Sequence, residues 1–173
     1  MVPEGSIHGR FQPFHNGHFE LALAALDRCV FLWIGIVGPV PGSRPLLTPE
    51  DPMTYHERQF MVTRTLVAEG VPPQRFGCVP FPVAEPETLD YYLDPRVTCY
   101  VPAGDTAGGT RSARLESMGY SVEPLPTGDF DPTILALLRG GDPAWRKAVP
   151  RSVAAYLEEI ELQDRLRDGK ESA

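Results

Sequence analysis

The segment Gly9-Arg10-Phe11-Gln12-Pro13-Phe14-His15-Asn16-Gly17-His18 holds the side chains of this chain best suited to chemistry. An arginine, a glutamine, two histidines and a glycine share one short loop ahead of an apolar helical stretch, Phe19 to Leu26. His15 and His18 stand three residues apart at a helix start, a spacing that lets both imidazoles point the same way. Gly17 between them lets a ligand approach the backbone closely. Exposed N–H groups and the positive end of the helix dipole favour an anion there. No cysteine or serine nucleophile lies beside the pair. The chemistry expected is therefore direct phosphoryl or nucleotidyl transfer, in which positioning and charge stabilisation do most of the work. The plain alternative is a surface loop whose histidines only cap a helix. The agreement of Arg10, Gln12, Gly17 and the following amphipathic helix weighs against it.

Such a loop needs a strand before it and a helix after it, and the pattern supplies both. Ser6 to Phe11 reads as a first strand and Gly17 to Arg28 as a helix, with Phe19, Leu21, Leu23, Ala24 and Leu26 on its apolar side. Val30 to Val37 is almost wholly apolar and branched or aromatic, as a parallel strand covered on both faces should be. Gly38 to Asp51 is rich in proline and glycine and reads as loop. A second helix opens at Pro52-Met53-Thr54, and Phe76 to Phe81 is a third strand. Glu87 to Leu93 reads as a short helix, Val97 to Val101 as a fourth strand, Arg111 to Met118 as a helix and Ser121 to Pro124 as a fifth strand. Two terminal helices follow, near Pro132 to Leu138 and Arg151 to Leu166, and the charged tail after Asp164 is expected to fray. Alternating strands and helices imply an α/β, Rossmann-like fold: a doubly wound, parallel, five-stranded sheet with helices on both faces. Its ligand should lie at the carboxyl ends of the strands, where the opening loop and Gly104-Asp105 would meet.

The bulk composition narrows the function. The chain of 173 residues is 42% hydrophobic and 23% charged, which suits one globular domain spanning 1–173. A net charge of −7 argues against coating nucleic acid or an anionic membrane, while leaving room for one basic pocket. Cys29, Cys78 and Cys99 lie far apart without metal-ligand spacing and read as thiols in a reducing, cytoplasmic compartment. No signal segment opens the chain, and the run Cys29 to Val37 is too short to span a bilayer. No apolar stripe specifies an oligomer, although a homo-oligomer is compatible with the sequence.

Gly9 to His18 resembles the opening motif of the His-x-Gly-His nucleotidyltransferases, most closely the archaeal-type nicotinamide mononucleotide (NMN) adenylyltransferases, which are cytidylyltransferase-like. Asp51-Pro52-Met53-Thr54-Tyr55-His56-Glu57-Arg58 is similar to that family's Asn-Pro-Phe-Thr-x-x-Glu-Arg segment. Ala103-Gly104-Asp105 is similar to its Ser-Gly-Asn turn, and Trp145 and Val149-Pro150 to its C-terminal Trp and Val-Pro helix start. The resemblance implies transfer of a nucleoside monophosphate from CTP or ATP, with Mg²⁺ carried on the triphosphate, no protein-held metal, and release of pyrophosphate. It casts His15 and His18, with Arg10, as the catalytic groups. Gly9, Phe11, Gln12, Gly17 and Gly104 would bind nucleotide. Asp105 would accept from ribose hydroxyls or else cap the next helix. Arg58 would support the loop on the acceptor side or else pair with Glu57 or Glu50 at the surface.

Two stretches depart from the family pattern. The family's Ser-x-Thr-x-x-Arg triphosphate motif is represented by Phe130-Asp131-Pro132-Thr133-Ile134-Leu135-Ala136, which keeps a threonine and lacks the arginine. Arg139, one turn later, either replaces it or faces solvent. The family's acceptor-supporting Asn-x-x-Trp is replaced by Glu85 to Tyr92, where Tyr91 or Tyr92 would stack on the acceptor or serve as ordinary core or surface aromatics. Both departures are compatible with a specialised enzyme of this family acting on a small phosphate- or phosphonate-bearing acid, and the resemblance implies CTP as its donor, since relatives in phosphonate biosynthesis use CTP; this reading is preferred. The alternatives are an NMN adenylyltransferase and a nucleotide-binding regulatory module that has lost catalysis.

Overall fold

The computed structural model describes residues 1–38, 47–103, 106–128 and 133–168. Five parallel strands run β1 (Val2–Gly9), β2 (Cys29–Val37), β3 (Phe76–Phe81), β4 (Thr98–Pro102) and β5 (Ser121–Leu125). Their order in the sheet is β3-β2-β1-β4-β5. The chain winds outward from β1 in both directions, so the switch in strand order lies between β1 and β4, where a doubly wound sheet leaves a crevice. The expected α/β architecture is the one observed.

Side chains alternate across the strands and build two cores. Ile7, Leu32, Ile34 and Ile36 face one way, onto α1 (Asn16–Leu26) and α2 (Tyr55–Ala68). Trp33 and Val37 face the other, with Phe81 and Cys99, onto α3 (Thr106–Ser117) and the 3-10 helix Pro86–Tyr91. Close packing along β1 is visible at Gly5, where a Cβ would lie 2.5 Å from the Tyr100 ring.

The carboxyl-terminal third departs most from expectation. After α4 (Ile134–Gly140), the helix expected over Arg151 to Leu166 is two helices, α5 (Arg151–Glu159) and α6 (Leu162–Asp168). The break falls at Glu161, whose φ of 51° is left-handed and cannot propagate a right-handed helix. The tail does not fray at Asp164. Leu162 and Leu166 of α6 are fully buried in the first core, and Arg165 pairs with Glu57 at 2.9 Å. Apolar anchors one turn apart, with an ion pair between them, hold the helix down; composition alone reads it as a solvated tail.

Candidate active site

Thr54 shows how locally this site is encoded. Its hydroxyl accepts from Glu57 N, while the Glu57 carboxylate accepts from Thr54 N at 2.7 Å, a reciprocal cap that fixes the start of α2. The same device recurs at α1 with imidazoles. His18 N donates to His15 Nδ1 and His15 N donates to His18 Nδ1, each at 3.4 Å. The two rings stack with centroids 3.6 Å apart and planes 26° from parallel. An imidazole that accepts at Nδ1 in its neutral form carries its proton on Nε2. Capping therefore orients both rings and sets the tautomer that donates from Nε2. The capping role that the plain alternative expected is thus present in the structure, and it engages Nδ1 of each ring.

Phe11 and Phe14 hold His18 in place. Phe14 stacks on its ring at 5.8 Å, and Phe11 meets it edge-on at 4.8 Å. Phe11 was expected to bind nucleotide; it is 1% exposed and belongs to the core. Its φ of 51° is a left-handed conformation costing roughly 1–2 kcal/mol, which burial offsets. Gly9 is tight for the same reason: a Cβ there would lie 2.8 Å from Phe11 and 3.2 Å from His18 Nε2. Gly17 is buried in the first turn of α1. From the other side of the chain, Asn16 N and Nδ2 donate to Ala148 O and Lys147 O, tying the loop to the C-terminal segment.

Beside the histidines, the residues from Pro49 to Met53 are held by four side chains. Arg139 donates to Pro49 O at 3.0 Å, Arg10 to Glu50 O at 2.7 Å, Arg165 to Pro52 O at 3.0 Å and Gln12 to Met53 O at 3.0 Å. Gln12 also accepts from Met53 N, so its amide grips a backbone unit in both directions. Its expected contact with ligand gives way to a clamp, because both ends of the amide are engaged. Arg10 makes an ion pair with Asp51 at 2.8 Å, with both side chains about half exposed. Arg58 is the buried brace of the group. It is 3% exposed and donates to Arg10 O, Val37 O and Thr54 O, so it supports the loop and forms no surface pair with Glu57 or Glu50. Burial lowers its pKa, which nearby Asp51 partly counteracts.

The remaining expected residues are more scattered. Arg139 is half-buried and reaches the segment that also holds Arg10, so it does not face open solvent. Thr133 sits at the N-cap of α4. Tyr91 is 86% exposed and forms no aromatic wall, because the turn that buries Leu89 points it outward. Tyr92 is half-buried at the end of the same turn. Gly104, Asp105 and Phe130 to Pro132 lie outside the described residues. Asp51 and Arg165 were not singled out from sequence. Asp51 was read as one member of a motif and Arg165 as part of a charged tail, and neither has a local signal for its partner.

A profile of the cytidylyltransferase-like family matches residues 7–106, from the end of β1 through the histidine loop and past β4. The chain belongs to the cytidylyltransferase-like family. Its relatives agree over almost their full length. It is 34% identical to a phosphonoformate cytidylyltransferase of Streptomyces viridochromogenes, covering 94% of this chain and 95% of that one. It is also 34% identical to a nicotinamide-nucleotide adenylyltransferase of Ignicoccus hospitalis, covering 92% and 94%. In fold it matches a bifunctional NMN adenylyltransferase/ADP ribose pyrophosphatase of Francisella tularensis with a TM-score of 0.73 at 14% identity; 98% of this chain overlies 54% of that one, so it spans about half of that protein. This cytidylyltransferase-like chain is a nucleotidyltransferase. None of its described helices is long and apolar enough to cross a membrane.

Proposed function

We propose that this chain transfers a nucleoside monophosphate, cytidylate from CTP in first place, to a small phosphate- or phosphonate-bearing acid, with release of pyrophosphate. The observation that carries the reading is the coexistence of an ordered His15–His18 pair with an acceptor segment whose Tyr91 stands in solvent. The stacked pair supports nucleotidyl transfer, and an exposed Tyr91 offers no aromatic wall to a nucleobase-like acceptor. The 34% identity to the phosphonoformate cytidylyltransferase over 94% of the chain supports the same choice.

In this reading an oxyanion of the acceptor attacks the α-phosphorus. A new P–O bond forms, the bond to the bridging α–β oxygen breaks, and pyrophosphate leaves with that electron pair. His15 and His18 donate from Nε2 to the oxygens on which charge develops. Arg10 and Arg139 stand on the polyphosphate side, and Gln12 and Arg58 keep their loop in register. No cage of three His, Cys, Asp or Glu side chains exists among the described residues. Magnesium carried on the triphosphate is part of this reading, and when bound it would neutralise charge on the leaving pyrophosphate.

A second reading, adenylyl transfer from ATP to NMN, draws support from the 34% identity to the Ignicoccus hospitalis enzyme. Pyrophosphate release from CTP and from ATP, each with phosphonoformate, a simple phosphate or NMN, separates the two. CTP with a small acid is expected to turn over fastest. Turnover of NMN and ATP at ordinary enzyme rates would sink the first reading, and tight nucleotide binding without release would leave only a binding module.

A further inference from the structure

Arg165 belongs to α6, the last helix of the described chain, yet its guanidinium ends on the segment that Arg10 and Gln12 also hold. Nη1 donates to Pro52 O at 3.0 Å and to Glu57 Oε2 at 3.1 Å, and Nη2 donates to Glu57 Oε1 at 2.9 Å. The pair is mostly shielded, with side-chain exposures of 32% for Arg165 and 18% for Glu57. A planar fork on a carboxylate fixes direction as well as distance. Both groups that Arg165 holds lead to Arg10. Pro52 lies between Asp51, which pairs with Arg10 at 2.8 Å, and Met53, whose N–H and carbonyl are gripped by Gln12. Glu57 accepts from Thr54 N at 2.7 Å, Thr54 O accepts from Arg58, and Arg58 donates to Arg10 O at 2.8 Å.

We infer that Arg165 is a positioning residue for nucleotidyl transfer: it fixes the Pro52 peptide and the Glu57 carboxylate, and through them sets where Arg10 meets the triphosphate. The inference rests on the transfer reading above, which stands Arg10 on the polyphosphate side, and adds to it a residue from the far end of the chain. Nη1 and Nη2 of Arg165 are both committed to protein oxygens, so it acts through Arg10 and not on the nucleotide. Docking of α6 does not depend on it. Leu162 and Leu166 are buried in the first core on either side of Arg165, and apolar burial keeps the helix in place when the guanidinium is removed. What is lost is the register of the segment that carries Asp51 and the start of α2. An arginine that reaches a phosphate from a loosened frame must be ordered on binding, and that ordering weakens affinity. The effect therefore falls on triphosphate binding more than on the chemical step.

The test measures pyrophosphate release with phosphonoformate across CTP concentration, and binding of Mg²⁺–CTP and Mg²⁺–ATP by titration calorimetry. It uses the intact chain, Arg165→Gln, Arg165→Lys, Arg10→Gln and the double variant Arg10→Gln with Arg165→Gln. Arg167→Gln, which removes an exposed charge of the same helix paired with Asp164 at 3.6 Å, is the control and should change nothing. Arg165→Gln should raise KM and Kd for the triphosphate ~5-fold or more and change kcat less than ~2-fold, within the range of coupling inside one hydrogen-bonded network. Arg165→Lys should recover part of the loss, because an ammonium keeps the charge without the planar fork. In the Arg10→Gln background, Arg165→Gln should add no further rise, which a general loosening of the fold would not reproduce. Circular dichroism checks folding; should Arg165→Gln not fold, Arg165→Lys carries the comparison, and loss of fold in both assigns the residue to stability and overturns the inference. An unmoved KM and Kd in Arg165→Gln, or an equal rise with and without Arg10, also overturns it, while a raised KM in Arg10→Gln leaves the transfer reading standing. An intact chain that binds neither triphosphate overturns the transfer reading and this inference with it.

Discussion

Arg10 and Asp51 meet at 2.8 Å beside the histidine loop, 41 residues apart in sequence and each about half exposed. Exposed ion pairs contribute roughly 0–1 kcal/mol, so this one is easily exchanged for a stronger partner. A triphosphate offers Arg10 more negative charge than Asp51 does. On the proposed reading, Asp51 holds the arginine in reach of the triphosphate and competes for it. Asp51→Asn should lower KM for the nucleoside triphosphate by about 2–5-fold with little change in melting temperature, as an exposed pair of this worth implies. Initial-rate measurements across triphosphate concentration check this, and a raised KM would show that Asp51 helps binding.

His18→Ala removes an imidazole that touches Phe11, Phe14 and His15. Loss of one donor to developing charge typically lowers kcat by ~10²–10³. The lost helix cap should also reduce stability by ~1 kcal/mol. Circular dichroism should show a folded protein, while pyrophosphate release falls to near background. Unchanged turnover would remove the loop from the reaction.

Arg58 links Arg10 O, Val37 O and Thr54 O from a buried position. Replacing it with methionine keeps the apolar stem and leaves those carbonyls without their donor. Arg58→Met should destabilise the fold by about 2–4 kcal/mol, since removing one partner strands the other at full desolvation cost. Urea unfolding measures the stability. Because the brace holds the Arg10 backbone, activity should fall as well even below the melting temperature.

Stability should fall off on both limbs of the pH scale, for different reasons. Burial pushes the Cys78 and Cys99 thiols from an ordinary 9.0 up to about 11, with a hydrogen bond between Cys78 and Thr63 and one from Ser6 to Cys99 pulling the other way. The fold favours the neutral thiol, so this contribution is complete below pH 9 and is lost as pH rises from 9 toward 11. Glu57 behaves oppositely. Burial raises its pKa, but hydrogen bonds from Arg165 and Thr54 outweigh burial and leave it below its ordinary 4.5. Its contribution is present above pH 4.5 and is lost as pH falls further. Thermal melts from pH 3 to 11 check both limbs. Cys78→Ala and Cys99→Ala together should make the alkaline limb shallower, the remainder coming from Cys29, Tyr55, Tyr100, Tyr120 and Tyr156, which burial also raises, and Arg165→Gln should make the acid limb shallower.

Local order alone pointed to phosphoryl or nucleotidyl transfer, and the resemblance carried by Gly9 to His18 narrowed it to the second. His15 and His18 meet because residues three apart at a helix start share a face, and Thr54 and Glu57 cap a helix for the same reason. The apolar run Cys29–Val37 announces a covered parallel strand wherever it occurs. These interactions span a few residues, so spacing and residue type carry them.

Tertiary structure decided which distant groups meet. Arg165 reaches Glu57 across 108 positions, and Arg139 reaches Pro49 across 90. The alternation of β1 sends His8 to the side of the sheet away from the loop it precedes, and the pairing of β2 with β3 brings Phe81 beneath it. Local periodicity says only that a strand has two faces. Which strand lies beside it, and what packs on each face, follows from chain-wide burial that no short window of sequence contains. The histidine loop could therefore be read from spacing, whereas the hold of Arg165 on Pro52 and Glu57 emerged only from the folded chain.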